Sequence, residues 1–313
     1  MKFGIHNPSW MFDSQLHDIF EKVKRKAQWA ETHGFAWFSV MDHLIQIPGV
    51  GKPDEPFMEG WTALAALAAV TSKIRLATLV TSVAYRNPAL LAKMVAGVDI
   101  ISRGRVTLGI GAGWYDAEYK QYGWEFPPRP ARRIRQLEEA VRLIKTMLQE
   151  PRATFHGKYF HVENAILEPK PLQKPHPPIL IGGVGPKVTL RIIAELGDAC
   201  NLWGPPAEFV KQREMLKRHC DEAGRDESTI EKTTYDLVLC APTEDALQEK
   251  IRRLLSKGVE PWMALVGTPS QLVDIVGEYK RVGADHLCLD FAGNDPESYA
   301  LFVEEVMGKL KLA

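Results

Sequence analysis

Short apolar runs alternate with amphipathic stretches along almost the whole chain. Lys2–His6, Phe35–Val40, Ile74–Ser82, Arg105–Trp114, Ile179–Ile181, Ala199–Trp203, Lys232–Cys240 and His286–Phe291 are rich in aliphatic and β-branched residues and read as strands. Leu16–Thr32 sets Leu16, Ile19, Phe20, Val23, Ala27 and Ala30 on one helical stripe, and His33-Gly34 stops it. Trp61–Val70 reads as an alanine- and leucine-rich helix. Asn87-Pro88 supplies an N-cap and a proline at the first helical position, opening a helix to Ser102. Thr268-Pro269-Ser270-Gln271 has capping-box spacing and starts a helix to Val282. Further helices are expected over Arg132–Leu148, Val188–Leu196, Glu208–Ala223 and Glu244–Ser256, and from Asp295-Pro296 through Met307. Residues 114–131 read as irregular, and Thr154–Leu167 as a small hairpin outside the alternation.

Eight strands, each followed by at least one helix, predict parallel strands with crossover helices. Over 313 residues this is the pattern of an α/β fold, a closed (β/α)8 TIM barrel with insertions after strands four and seven. A single domain over 1–313 is expected. A doubly wound open sheet would carry its glycine-rich dinucleotide turn after the first strand, where this chain has Asn7-Pro8-Ser9.

Composition narrows the partners. With 39 basic and 39 acidic residues, nothing favours nucleic acid or an anionic membrane. The longest apolar candidate, Ala63 to Val70, is too short to span a bilayer, and the N-terminus lacks the apolar core of a signal peptide. Cys200, Cys220, Cys240 and Cys288 are scattered with no CxxC pair. They read as small buried hydrophobes of a cytoplasmic protein, not as a disulfide framework or a zinc site.

Barrels place chemistry at the C-terminal ends of their strands. After the second strand, Asp42-His43 puts a carboxylate beside an imidazole, which can orient a substrate or exchange a proton with it, or can simply cap and pack a loop. After the third, small and polar residues of Thr81–Arg86 replace the apolar pattern. Gly109, Gly111 and Gly113 strip side chains from the end of the fourth, making room for a flat ligand or for close packing. Their G-x-G-x-G spacing is not the dinucleotide turn. After the fifth, Gly182-Gly183-Val184-Gly185-Pro186-Lys187 leads into a helix, which suits an anion such as phosphate. Aromatics of this kind are more often core or interface, and the run from Trp114 to Trp124, beyond a strand end, is the best candidate for a lid or pocket wall.

Taken in order, these residues resemble a known family. Asp42-His43, Thr81-Ser82-Val83 with Arg86-Asn87-Pro88, Ile101–Arg105 leading into Leu108–Trp114 with Glu118, and Ile179–Gly183 resemble the luciferase-like monooxygenase superfamily of flavin- and deazaflavin-dependent oxidoreductases. The chain looks closest to its coenzyme F420-dependent branch. The resemblance implies a cofactor at the barrel mouth, with its phosphate on Gly182, Gly183, Val184, Gly185, Pro186 and Lys187. The ring would lie near Ser82, Val83, Ala112 and Gly113, and Asp42 would meet the cofactor's polar edge. It implies His43 as the catalytic residue facing the ring, and Trp114 and Glu118 as substrate-pocket residues. Trp114 stands where the sugar-phosphate dehydrogenase of that branch carries its acid. The resemblance also implies a non-prolyl cis peptide at Ser82–Val83. Lys170, Lys174, Lys187 and Arg191 are the cations available for F420's acidic tail. The expected function is F420-dependent hydride transfer with a small organic substrate, in a cytoplasmic homodimer. The alternatives are an FMN-dependent monooxygenase using O2 and reduced flavin from a partner reductase, and a non-catalytic barrel, either a phosphate-ligand binder or a degenerate partner subunit. Substrate choice is expected in the loops Gln46–Glu59, Trp114–Arg132 and Cys240–Gly267.

Overall fold

Eight parallel strands close on themselves in a computed structural model that describes residues 1–10, 16–255 and 264–311. They are β1 (Lys2–Asn7), β2 (Trp37–Val40), β3 (Arg75–Thr78), β4 (Val106–Gly111), β5 (Ile179–Gly182), β6 (Ala199–Leu202), β7 (Glu231–Cys240) and β8 (His286–Phe291). Each pairs with its neighbours in chain order, and β8 pairs back with β1. This is the expected TIM barrel.

The alternation of side chains along a strand divides the core in two. Trp37, Ala77, Leu180, Ala199 and Cys288 point inward and form one buried cluster, against which Leu79 and Val80 pack. Outward residues such as Ile5, Phe38, Leu76, Leu108 and Ile179 join the larger cluster beneath the helices. Helix Ile19–Thr32 buries Ile19, Val23, Ala27 and Ala30 of its expected stripe. Asn87 caps as expected, its Oδ1 accepting from the Ala89 N–H at 2.9 Å. The Gln271 side chain accepts from the Thr268 N–H at 2.7 Å, which completes the capping box. All four cysteines are buried and free. No described helix is long and apolar enough to cross a membrane.

Four features depart from the sequence expectation. The third strand is not one run: its ladder stops at Thr78 and resumes with Thr81–Ser82, which pairs with β4. The non-prolyl cis bond lies in that interruption, at Leu79–Val80, and not at Ser82–Val83. The physical reason is local, because by Ser82 the chain is already back in the ladder opposite Gly111. Within 114–131, Asp116–Gln121 is a short helix. The hairpin is present as Ala153–His156 against His161–Ala165. Finally, Ala264–Gly267, expected as loop, is a parallel strand on the last four residues of β7. β7 runs ten residues while β6 pairs only with its first four, so its far end is left to another partner. The end of the helix expected to reach Ser256, and residues 256–263 of the Cys240–Gly267 loop, lie outside the described residues; the described part of that helix is Glu244–Leu255.

Candidate active site

β2 delivers Met41-Asp42-His43 to the C-terminal mouth, all three buried. The short helix Asp116–Gln121 brings Glu118 against His43 from 75 residues away, with His43 Nδ1 to Glu118 Oε2 at 2.6 Å. The same oxygen accepts from the Tyr85 hydroxyl. Oε1 accepts from the N–H groups of Leu44 at 2.5 Å and Ile45 at 3.2 Å. Burial pushes the Glu118 carboxyl up, but the bond and charge of His43, the Leu44 N–H and the Tyr85 hydroxyl hold it below the usual carboxylate range. Burial, then the charge of Glu118, drives the Tyr85 hydroxyl far above its ordinary value, so it remains a donor. An ionised carboxylate on Nδ1 selects the Nδ1–H tautomer and leaves the Nε2 lone pair available. Among the described residues Nε2 has no hydrogen-bond partner. Glu118 was expected to line the substrate pocket. It is 0% exposed, and both its oxygens are taken by His43, Tyr85, Leu44 and Ile45.

Asp42, expected at the cofactor's polar edge, is fully buried. Arg86 holds it with two bonds, Nη1 to Oδ2 at 2.7 Å and Nη2 to Oδ1 at 2.9 Å, and reaches Glu59 as well. Glu59 in turn caps helix Gly60–Val70 through the N–H groups of Trp61 and Thr62. A Cβ at Gly60 would stand 2.8 Å from Asp42 Oδ1, so the helix start closes over the carboxylate. Burial pushes the Asp42 carboxyl up against the pull of Arg86. It works against the Arg86 charge too, where Asp42 and then Glu59 more than offset it. Asp42 is a brace for the His43 loop.

The glycines of β4 admit protein atoms. A Cβ at Gly109 would lie 1.9 Å from the Thr78 carbonyl oxygen, and one at Gly111 2.9 Å from Val80 Cγ2. Gly113, at φ 77°, would meet Ser82 Oγ at 2.3 Å and the Tyr119 hydroxyl at 2.5 Å. Ser82 is hydrogen-bonded to that hydroxyl, Val83 is buried, and Ala112 packs on the main core. Val80, which the sequence did not single out, stands between Gly111 and Gly182.

The Gly182–Lys187 run does leave valence open. No described protein group accepts from the N–H of Gly183, Val184 or Gly185. Gly183 turns the chain at φ 125°, and the Pro186 carbonyl is fastened to His219 Nε2 at 2.8 Å. Lys187 is exposed and has no ion pair among the described residues. Three free backbone donors and a cation ahead of helix Thr189–Leu196 fit a phosphate. The other expected cations are not beside it. The Lys170 ammonium binds the carbonyls of Met147 and Glu150, and Arg191 pairs with Glu138 and Glu195. Lys170 and Lys174 flank Gln173, which is tied to Asp99 and to the Val106 carbonyl at the opposite end of the barrel. Lys170 and Lys174 belong to the segment that leads into β5, and Arg191 to the helix that follows it.

Aromatic rings surround His43. Trp114 meets it edge-on with centroids 6.0 Å apart, Tyr115 and Tyr85 at 6.2 Å each. Trp114, expected as a substrate-pocket residue, is 58% exposed.

The sequence profile of the luciferase-like monooxygenase family matches residues 1–262. The chain belongs to this family. Pyrimidine monooxygenase RutA of Acinetobacter baylyi is 31% identical over 260 residues, 78% of this chain and 68% of its own. Among solved structures, monooxygenase RslO1 from Streptomyces bottropensis superposes with a TM-score of 0.82 at 22% identity, covering 99% of this chain and 100% of that one. An F420-dependent secondary alcohol dehydrogenase, in complex with an F420–acetone adduct, gives 0.80 at 23%, covering 98% of each. At these identities the structural likeness shows a shared barrel.

This luciferase-like barrel also has a polar floor that pattern reading passed over. His6 Nδ1 and Ser39 Oγ are 2.9 Å apart, and the Tyr235 hydroxyl donates to Asp290 at 3.1 Å. Lys26 reaches in from its helix to Asn7 and Asn294. Burial, then the charges of Lys26 and His43, lowers His6 to about 3. The available signal was polar residues at alternate, inward positions near the strand ends.

Proposed function

We propose that the chain is an F420-dependent oxidoreductase exchanging a hydride with a small organic alcohol or carbonyl compound. The observation that carries this reading is the His43–Glu118 pair, an imidazole held at Nδ1 by a buried carboxylate, with Nε2 free of any hydrogen bond among the described residues. Interconverting an alcohol and a carbonyl moves one proton together with each hydride, and Nε2 is placed to take or give that proton at the substrate oxygen. Glu118 stabilises the imidazolium that results, as a carboxylate behind a histidine does. The deazaflavin, when bound, supplies the hydride acceptor or donor. The N–H groups of Gly183, Val184 and Gly185, with Lys187, hold its phosphate, and the ends of β3 and β4 around Val80, Val83, Ala112 and Gly113 offer a side-chain-poor wall for its ring.

A second reading, an FMN-dependent monooxygenase, is favoured by one observation. Of the four cations expected for the acidic tail, Lys187 is the one that lies in the phosphate loop itself without an ion pair among the described residues, and FMN has no such tail. Fluorescence titration of the purified chain with F420 and FMN side by side separates them. Saturable F420 binding, at least tenfold tighter than FMN, is expected. Tight FMN binding with none of F420 overturns the first reading in favour of the second.

A further inference from the structure

We propose that Trp114 and Tyr115 form a stacking shelf that selects a planar, uncharged ring substrate carrying a hydroxyl or carbonyl. The inference rests on the reading of His43 as the group that meets the substrate oxygen.

Three observations converge on it. The Trp114 and Tyr115 rings lie 5.2 Å apart and only 30° from parallel, while both stand roughly edge-on to His43 at 74° and 66°. A face-like surface therefore flanks the imidazole, and Trp114 leaves 58% of itself to solvent. An exposed indole beside a proton-transfer group is an apolar surface that a flat ring covers well. Gly113 fixes this placement. Its φ of 77° turns the chain, and a Cβ there would collide with Ser82 and Tyr119, so the swing that brings Trp114 over His43 depends on glycine.

The second observation is electrostatic. The charged groups hydrogen-bonded to His43 and in the network around Asp42 are spent on protein partners: Glu118 on four donors, and Asp42 and Glu59 on Arg86. A phosphorylated or carboxylated substrate would lose its hydration here without gaining a counter-charge from this cluster. The third is polar economy. His43 Nε2 is the open valence among these rings, so it recognises one oxygen and the rest of the substrate meets aromatic surface.

The test compares benzyl alcohol with cyclohexylmethanol, which share the carbinol arm and differ in the planarity of the ring. Binding to the full chain is measured by calorimetry, with and without saturating cofactor. Benzyl alcohol is expected to bind about tenfold tighter, the upper range for one favourable aromatic pair. Trp114→Ala is expected to bring the two ligands to within about twofold, and Trp114→Phe to keep most of the preference. Trp114 is exposed, and thermal melting of both variants confirms that they fold. Equal binding of the two alcohols by the native chain overturns the proposal, as does a preference unchanged in Trp114→Ala. So does tighter binding of glucose 6-phosphate, or an absence of saturable benzyl alcohol binding. A change of sedimentation in Trp114→Ala with no change in ring preference also overturns it, assigning the shelf to contact between copies. These readouts need no turnover, so failure of the hydride reading, seen as unchanged turnover in His43→Ala, is distinguishable from failure of the shelf.

Discussion

His43 and His286 are both buried imidazoles of the same barrel, at its two ends. His43 follows β2 at the mouth, with the Glu118 carboxylate 2.6 Å from Nδ1. His286 begins β8 at the opposite end, 1% exposed, edge-on to Trp37 at 4.8 Å. It too has a carboxylate nearby, but Glu231 stands 3.9 Å away and is engaged by the Lys2 ammonium at 2.9 Å. Neither ring nitrogen of His286 has a hydrogen-bond partner among the described residues. Burial, then the charges of Lys2 and Arg75, pushes it down to about 3. Burial alone makes an imidazole inert. A carboxylate within hydrogen-bond reach, itself held ionised by other donors, is what lets a buried imidazole accept a proton.

The contrast breaks most sharply on turnover. His43→Ala is expected to lower kcat by about 10²- to 10⁴-fold, the usual worth of a positioned acid or base, with cofactor titration unchanged. His286→Leu should leave kcat within about threefold, since a neutral ring far from the mouth moves no proton. Steady-state kinetics on the two variants tests both halves. Unchanged turnover in His43→Ala would remove the imidazole from the chemistry and favour a non-catalytic barrel.

Glu118→Gln is next in size. An amide can satisfy the Leu44 and Ile45 N–H groups but does not compensate an imidazolium. We expect kcat to fall by about 10²-fold with KM little changed, because the loss appears only where charge develops. A fall in KM parallel to kcat would point instead to a carboxylate that merely shapes the pocket.

The fold was largely legible and the site only in part, for the same reason. Strand and helix periods are local, so the eight runs and the caps at Asn87 and Thr268 declare themselves over a few residues. Glu118 was visible as a residue but not as the partner of His43, because 75 residues separate them and only barrel closure brings them together. Gly109 and Gly111 signalled a close approach, yet glycine spacing does not say whether the visitor is a ligand or the Thr78 carbonyl and Val80. The strand Ala264–Gly267 depends on β7 outrunning β6, a matter of register that no local pattern records.

Stability against pH sharpens the comparison from the other side. His286 is neutral in the fold down to about pH 3, whereas in the unfolded chain it protonates near 6.5. Between those values the unfolded state holds the extra proton, so stability is lost as pH falls through that window and is unaffected above it. His6, also lowered to about 3, adds a slope of the same sign. Asp236, raised by burial to about 7, adds one of opposite sign between its ordinary range and 7. The difference between native chain and His286→Leu isolates the one group. Denaturant unfolding should show the native chain losing about 1.4 kcal/mol more than the variant per pH unit from 6 to 4. At pH 7 the variant should be equally stable or slightly more so, two unpartnered nitrogens having been replaced by a methyl-bearing side chain. Parallel profiles would mean that His286 has a partner in solution that its neighbours in the barrel do not supply.

The smallest expected effect asks how much of the His43 arrangement depends on the third member. Tyr85→Phe keeps the ring that packs on Tyr119 at 5.2 Å and removes only the hydroxyl that donates to Glu118 Oε2. A hydrogen bond to a charged group contributes about 1.5–3 kcal/mol. Glu118 keeps its other donors, so only the lower part of that range should reach kcat, a loss of about three- to tenfold. The pH profile carries the diagnostic sign. The Tyr85 hydroxyl is one of the groups that lower the Glu118 carboxyl, so its removal raises that carboxyl toward the ordinary range. The acid limb of kcat, where Glu118 protonates and His43 loses its support, should then move to higher pH. A lower kcat with an unmoved acid limb would make Tyr85 a packing residue. The difference between His43 and His286 would then rest on the Glu118 carboxylate and the backbone N–H groups of Leu44 and Ile45.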